Sequence, residues 1–357
     1  MKHLIDPTDL SFEQTCEIVS LAQDIIANRA KYADACRGLQ LATLFYEPST
    51  RTRLSFTSAM LSLGGTVLGF SDAKNTSVSK GETVQDTVRV VGNFADIIAM
   101  RHYIEGAPLA ASEVSPIPII NAGDGSHAHP TQTLTDLLTI TRELGKVDGI
   151  KIGFCGDLKF GRTVHSLIKA LARYKGVEIV LIAPDELRLP DYIKHDICDR
   201  NHLPYTECSS IEEVIGELDV LYMTRVQKER FLDEDEYDRV KDCFVLDNAK
   251  MALAKDKMAV LHPLPRVNEI LPEVDSDPRA AYFRQVGNGK FVRMALILTL
   301  LKLKEQGAAP SPSLGIYMDS VKCSNAKCIC NLENVKPRFH EEDGVLRCVY
   351  CDHKAQK

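Results

Sequence analysis

Residues 49–53 read Ser-Thr-Arg-Thr-Arg, three hydroxyls and two guanidinium groups in succession. An apolar, strand-like run (39–46) precedes them and an amphipathic run (52–65) ending in two glycines follows, so they sit at a strand-to-helix turn. A helix N-terminus offers free N–H groups and a positive dipole end, and paired guanidiniums fork onto phosphate oxygens. An N-capped helix with solvated arginines uses the same residue types, so the stretch points to phosphate only in company. Two more strand ends provide it. "ADIIAMRH" closes on Arg101 and His102, and "NAGDGSHAHPTQTLTDL" puts His129 and Gln132 at a helix start. Open α/β sheets bind ligands beyond the carboxyl ends of their strands, so three ends offer polar groups to one crevice.

Other constellations are weaker. Asp124, Ser126 and His127 permit a Ser-His-Asp arrangement on paper, but they lie in a Gly-rich turn with no nucleophile elbow. "FCGDLKFGRT" carries Gly153, Gly156 and Gly161, which do not spell the dinucleotide fingerprint. The chain closes on Cys323-x4-Cys328 and Cys348-x2-Cys351, with Cys330 extra. Two thiol pairs around a short loop fit a structural four-cysteine zinc site, one ion per chain. A disulfide knot is the alternative. The N-terminus lacks the basic and apolar regions of an export signal, which favours reduced thiols.

The elements that hold these groups alternate. Strands are predicted at 39–46, 66–70, 95–101 and 117–123, with helices between them, and the pattern restarts after "GKVDG" with strands at 151–155, 177–183, 219–223, 244–247 and 258–263. Such alternation builds parallel sheets from βαβ units. The reading is two α/β domains, 1–135 and 148–285, with a helix at 287–305 packing back on the first. A linker follows at 306–322, then a small β zinc domain at 323–357. One large mixed sheet is the rival architecture. Net charge is -6, so no basic field suggests nucleic acid, and the tail has few aromatics to stack bases. No apolar run approaches the ~20 residues of a membrane span. The expected location is cytoplasmic.

Taken together, "STRTR", "MRH", "GDGSHAHPTQTLTDL", "GDLKFGRTVHSL", "LYMTRVQKER" and "HPLPR" resemble the aspartate carbamoyltransferase family, in order, over the chain to about residue 303. The resemblance implies transfer of the carbamoyl group of carbamoyl phosphate to L-aspartate, the committed step of pyrimidine synthesis, with no organic cofactor. It implies that Ser49, Thr50, Arg51 and Thr52 cradle the phosphate. Arg101 would reach phosphate and carbonyl oxygen, His129 the carbonyl oxygen. Gln132 and the carbonyls of Leu264 and Pro265 would hold the carbamoyl amino group. Arg162, Arg225 and Gln227 would bind aspartate. "RVQKER", and Pro263 where ornithine-specific relatives place cysteine, argue against ornithine. Ser77 and Lys80 match a loop that enters a neighbouring subunit's site, which implies a homotrimer with shared sites and leaves pairing of trimers open. Where many relatives have two adjacent lysines, this chain has Ser79 and Lys80. Glu47 and Arg230 match residues that pair on domain closure, and 228–239 matches a closing loop. The tail resembles the zinc domain of the separate regulatory chain, without room for that chain's nucleotide-binding domain.

Overall fold

The structure, a computed structural model, describes residues 3–227, 234–305, 315–342 and 344–356. The chain divides into two compact units, Met1–Thr131 with Lys290–Lys357, and Gln132–Gly289.

The first unit opens with α1 (Phe12–Ala27), started by a capping box in which Ser11 accepts from Gln14 N while the Gln14 side chain accepts from Ser11 N. Then come β1 (Gln40–Phe45), α2 (Thr50–Ser62), β2 (Thr66–Phe70), α3 (Val84–Val91), β3 (Ile97–His102), α4 (Ala107–Ser112) and β4 (Ile119–Asp124). The four strands form a parallel sheet in the order β2-β1-β3-β4. Ala42, Leu44, Ile98, Met100 and Ile119 are buried in its core, as continuous apolar runs require in a sheet covered on both faces.

α5 (Pro130–Leu144) leads into the second unit, which continues with β5 (Lys151–Cys155), α6 (Arg162–Leu171), β6 (Glu178–Ile182), α7 (Asp191–Ile193), β7 (Tyr205–Cys208), β8 (Val220–Met223), α8 (Glu234–Val240), α9 (Asn248–Met251), β9 (Ala259–Leu261) and the start of α10 (Tyr282–Glu305), whose residues from Lys290 on belong to the first unit. Its five strands are all parallel, in the order β7-β6-β5-β8-β9. The strand predicted at 244–247 is reduced to one bridge, Leu246 to Ile270, because Asp247 caps α9 by accepting from Lys250 N. α10 starts five residues before the predicted 287 and runs through Gly287 and Gly289. Its first turns are held by buried amides: Gln285 donates to Asp136 at 2.6 Å and Asn288 to Thr139 at 3.0 Å.

The C-terminal segment, part of the first unit, has β10 (Ile316–Tyr317), β11 (Lys322–Cys323), α11 (Ile329–Leu332), β12 (Arg338–Glu342), β13 (Val345–Cys348) and β14 (Ala355–Gln356). β10, β12 and β13 form an antiparallel sheet, and β11 pairs with β14. The predicted linker therefore gives way to the tail before residue 322: Ile316 and Tyr317 pair with Phe339 and Arg338, and the Arg338 guanidinium lies 5.2 Å from the Tyr317 ring centre. The tail shares one apolar core with the body of this unit. Phe339, Tyr350 and Ile329 cluster with Val84, Val88, Ala107 and Ala110 of α3 and α4.

Candidate active site and metal centre

In the first unit the predicted anion site is built on neighbouring strand ends. Phe45 pairs with Arg101 in register, and Tyr46 N donates to Arg101 O at 2.8 Å. The chain then turns through Glu47 and enters α2 at Ser49, whose side chain makes no capping hydrogen bond. Thr52 is buried, Ser49 half-buried, and Thr50 and Arg51 are exposed at this helix start. A helix N-terminus with no side-chain cap keeps donors for an outside anion.

Arg101 does not project freely. Glu47 Oε1 accepts from its Nε at 2.7 Å and lies 2.6 Å from a terminal nitrogen. The other terminal nitrogen, NH1, faces the backbone of Gly123. A β-carbon on Gly123 would lie 3.2 Å from that nitrogen and 3.4 Å from the His129 ring. Gly123 has φ +119°, a conformation glycine adopts at little cost. Arg101 and His129 thus converge over one glycine on β4, a cationic donor beside an imidazole. Gly123 carried no signal beyond its place in "NAGDG". Arg293 was also missed. Buried on α10, it donates to Ser55 of α2 at 3.2 Å and to Thr131 at 3.1 Å, and Thr131 Oγ1 lies 3.4 Å from His129 Nδ1.

His102, predicted to stand beside Arg101, is instead buried on the opposite side of the strand. Its Nδ1 accepts from Ile104 N, and burial pushes its pKa down to about 3. No Ser-His-Asp triad forms. His127 Nδ1 faces Asp124 at 3.1 Å, but Nε2 faces Asp352 at 3.3 Å, and Ser126 N donates to Glu105. Ser77 and Lys80 are exposed on a short helical turn whose Val78 packs on the core.

In the second unit, Cys155 of β5 pairs with Met223 of β8, so Arg162 and Arg225 follow adjacent parallel strand ends. The two loops are tied together. Gln227 Nε2 donates to Phe160 O at 3.2 Å, and wholly buried Asp157 accepts from Phe160 N at 2.9 Å. Two guanidinium groups so placed suit a dicarboxylate. Gln132 donates its amide to Asp136 at 2.7 Å. Leu264 has φ +56° and precedes a cis peptide to Pro265; its N–H donates to His262 Nδ1 at 2.7 Å, and His262 Nε2 faces Glu269 at 2.7 Å. Arg230 and the 228–233 part of the predicted closing loop lie outside the described residues.

Cys323, Cys328, Cys348 and Cys351 are all buried, with sulfurs within 4.8 Å of one another. The Cys323–Cys351 separation is 3.4 Å and Cys328–Cys348 3.7 Å, and none is in a disulfide. Tetrahedral thiolates around zinc, at ~2.3 Å from the ion, stand about 3.8 Å apart, so the donor set fits a metal ion. Cys330 Sγ lies 3.3 Å from Cys328 Sγ, outside the four that share one centre.

Three protein-family descriptions match in succession. "Aspartate/ornithine carbamoyltransferase, carbamoyl-P binding domain" covers residues 2–142, its "Asp/Orn binding domain" covers 148–300, and "Aspartate carbamoyltransferase regulatory chain, metal binding domain" covers 315–357. The aspartate carbamoyltransferase catalytic subunit of Lachnoclostridium phytofermentans is 60% identical over 306 residues, 86% of this chain and 100% of that protein. That of Clostridium perfringens is 60% identical over 300 residues, 84% of this chain and 98% of that protein. Among solved structures, the catalytic subunit of the M. jannaschii enzyme aligns with a TM-score of 0.80 at 48% identity, covering 85% of this chain and 99% of that one. The Trypanosoma cruzi enzyme in complex with carbamoyl phosphate and aspartate aligns at 0.79 and 40% identity, covering 84% and 96%.

Proposed function

The chain belongs to the aspartate carbamoyltransferase family and carries a metal-binding domain of the regulatory-chain type, and from that premise we propose how its residues share the work. The reaction transfers the carbamoyl group of carbamoyl phosphate to the amino group of L-aspartate, giving N-carbamoyl-L-aspartate and phosphate, the committed step of pyrimidine synthesis.

The α2 N-terminus, with Ser49, Thr50, Arg51 and Thr52, holds the phosphate. Arg101 bridges phosphate and carbonyl oxygen, and His129 donates to that oxygen. The convergence of Arg101 and His129 over Gly123 is the observation that carries this reading. Gln132 and the carbonyls of Leu264 and Pro265 are assigned to the carbamoyl amino group, and Arg162, Arg225 and Gln227 to aspartate, on the family resemblance. The aspartate nitrogen attacks the carbonyl carbon, and negative charge builds on its oxygen. Fixed donors from Thr52, Arg101 and His129 stabilise that charge, at ~3 kcal/mol for a well-placed donor. The carbon–oxygen bond to phosphate then breaks, and phosphate leaves with the electron pair and accepts the amine proton. The step uses orientation and electrostatics, with no covalent intermediate.

Ser77 and Lys80 are assigned to the site of a neighbouring copy, with Lys80 acting on both substrates, so the active unit is a homotrimer. Exposure of both residues supports this. Glu47 and Arg230 are assigned to domain closure. The four cysteines hold one structural zinc per chain, which would fix the tail's small sheets. Buried free thiols at Cys36, Cys155 and Cys198 support a reducing, cytoplasmic setting. Among the described residues no helix is long and apolar enough to cross a membrane. The test is a product assay. Purified protein given carbamoyl phosphate with aspartate or ornithine should yield carbamoyl aspartate and no citrulline; citrulline formation would overturn the acceptor assignment.

A further inference from the structure

The tail does more than share a core with the first unit. It grips the loop that follows Arg101 and the loop that carries His129. β3 ends one residue past Arg101, and the loop that follows reaches Glu105. There Glu105 N donates to Lys327 O at 3.1 Å and Ile329 N donates to Glu105 O at 3.0 Å, a strand-like pairing across metal-ligand Cys328. The buried Glu105 carboxylate joins three segments. One oxygen accepts from Asn325 of the tail at 2.7 Å, the other from Ser126 N, in the loop before His129, at 3.2 Å.

A second chain of contacts runs parallel. Asp352, one residue past Cys351, faces His127 Nε2 at 3.3 Å, and His127 Nδ1 faces Asp124 at 3.1 Å. Asp124 is wholly buried. It accepts from Ala128 N at 3.0 Å, next to His129, and from Gly106 N at 3.0 Å, in the loop after Arg101. Gly125 N closes the circuit on His102 O at 2.9 Å. Gly106 sits so near the tail that a β-carbon there would lie 2.5 Å from Tyr350 Cβ. Both loops are therefore held from the metal side by groups that a folded tail alone presents.

We propose that the metal-bearing tail is a positioning element for the carbamoyl phosphate residues of its own chain. Glu105 and His127 are positioning residues, braced by Asn325 and Asp352, that fix the loop after Arg101 and the loop that leads to His129. Losing the tail's grip weakens affinity for the phosphate-bearing substrate. The inference rests on the reading that Arg101 and His129 hold that substrate.

The test uses the full-length, metal-loaded protein and inorganic phosphate as probe. Asp352→Gly removes the carboxylate, and glycine adopts the φ of +59° found there without strain. Metal content should stay at wild type. Phosphate Kd by titration calorimetry should rise about fivefold, the worth of one hydrogen bond of about 1 kcal/mol. Amide exchange in 103–106 and 125–129 should quicken, and KM should rise for carbamoyl phosphate more than for aspartate. Asp352→Asn keeps an oxygen acceptor and should recover part of the loss. Chelator-stripped wild-type chain should show the same weakening, which keeps the test intact if a variant sheds metal. Wild-type phosphate affinity in both Asp352→Gly and the stripped chain would overturn the proposal. Arg101→Ala separates the premise: undiminished phosphate binding there would overturn the site assignment itself.

Discussion

Glu47 Oε1 takes both Arg101 Nε, at 2.7 Å, and a terminal Arg101 nitrogen, at 2.6 Å, so one carboxylate oxygen aims the guanidinium. The nitrogen left over faces Gly123 and His129. Aiming and binding are thus separable. Arg101→Ala should cut kcat by about 10²–10³-fold, the usual loss for one transition-state donor. Glu47→Ala removes the aim, together with the carboxylate assigned to domain closure, and should lower kcat/KM for carbamoyl phosphate by about tenfold, the loss of ~1.4 kcal/mol. Steady-state kinetics on both variants decides it. An equal loss would mean that Glu47 does more than aim Arg101.

Gly123→Ala tests the convergence directly. A β-carbon would press on an Arg101 terminal nitrogen at 3.2 Å and touch the His129 ring at 3.4 Å, and alanine at φ +119° adds strain of roughly 1–3 kcal/mol. Both a lower melting temperature and a weaker affinity for phosphate should follow, measured by calorimetry on the same sample. Wild-type phosphate affinity in a destabilised Gly123→Ala protein would separate Arg101 and His129 from the anion.

The buried imidazole of His102 makes stability pH-dependent. Its pKa is held down to about 3 against an ordinary 6.5, chiefly by burial, with Asp124 opposing weakly. Between those values the unfolded chain binds a proton that the folded chain refuses, so stability falls as pH drops from 6.5 toward 3. The slope from this one group approaches about 1.4 kcal/mol per pH unit. His102→Gln keeps an acceptor for Ile104 N and cannot titrate, so urea unfolding between pH 6.5 and 5 should show a shallower slope. An unchanged slope would rule His102 out as its source.

His102 also shows where sequence reading ends. "MRH" places two basic residues at a strand end, but successive strand residues face opposite ways, and only packing says which faces the core. The parallel sheets were legible because apolar runs covered on both faces read plainly as "QLATLF" or "KIGFC". The four metal-ligand candidates were legible because their spacing is local. Glu105 was not. Its carboxylate matters through Asn325, 220 positions along the chain, and no periodicity records such a contact. Gly123, Arg293 and Asp352 share that character: each acts through a neighbour that folding alone supplies. The start of α10 was misread for the opposite reason. Gly287 and Gly289 lower helix propensity, and the buried amides of Gln285 and Asn288 outweigh it.

Arg225 offers the sharpest division between the two substrates. It follows β8, paired in register with the strand that leads to Arg162, and nothing in its proposed role touches phosphate. Arg225→Ala removes a charge-assisted contact worth roughly 1.5–3 kcal/mol, so KM for aspartate should rise about 50-fold. KM for carbamoyl phosphate should move by less than about threefold. Gln227→Ala should give a milder version, because its amide holds Phe160 O in the loop before Arg162. Initial-rate kinetics with each substrate varied at saturating levels of the other reads both. Equal losses for the two substrates in Arg225→Ala would remove it from the aspartate pocket and leave Arg162 to be tested alone.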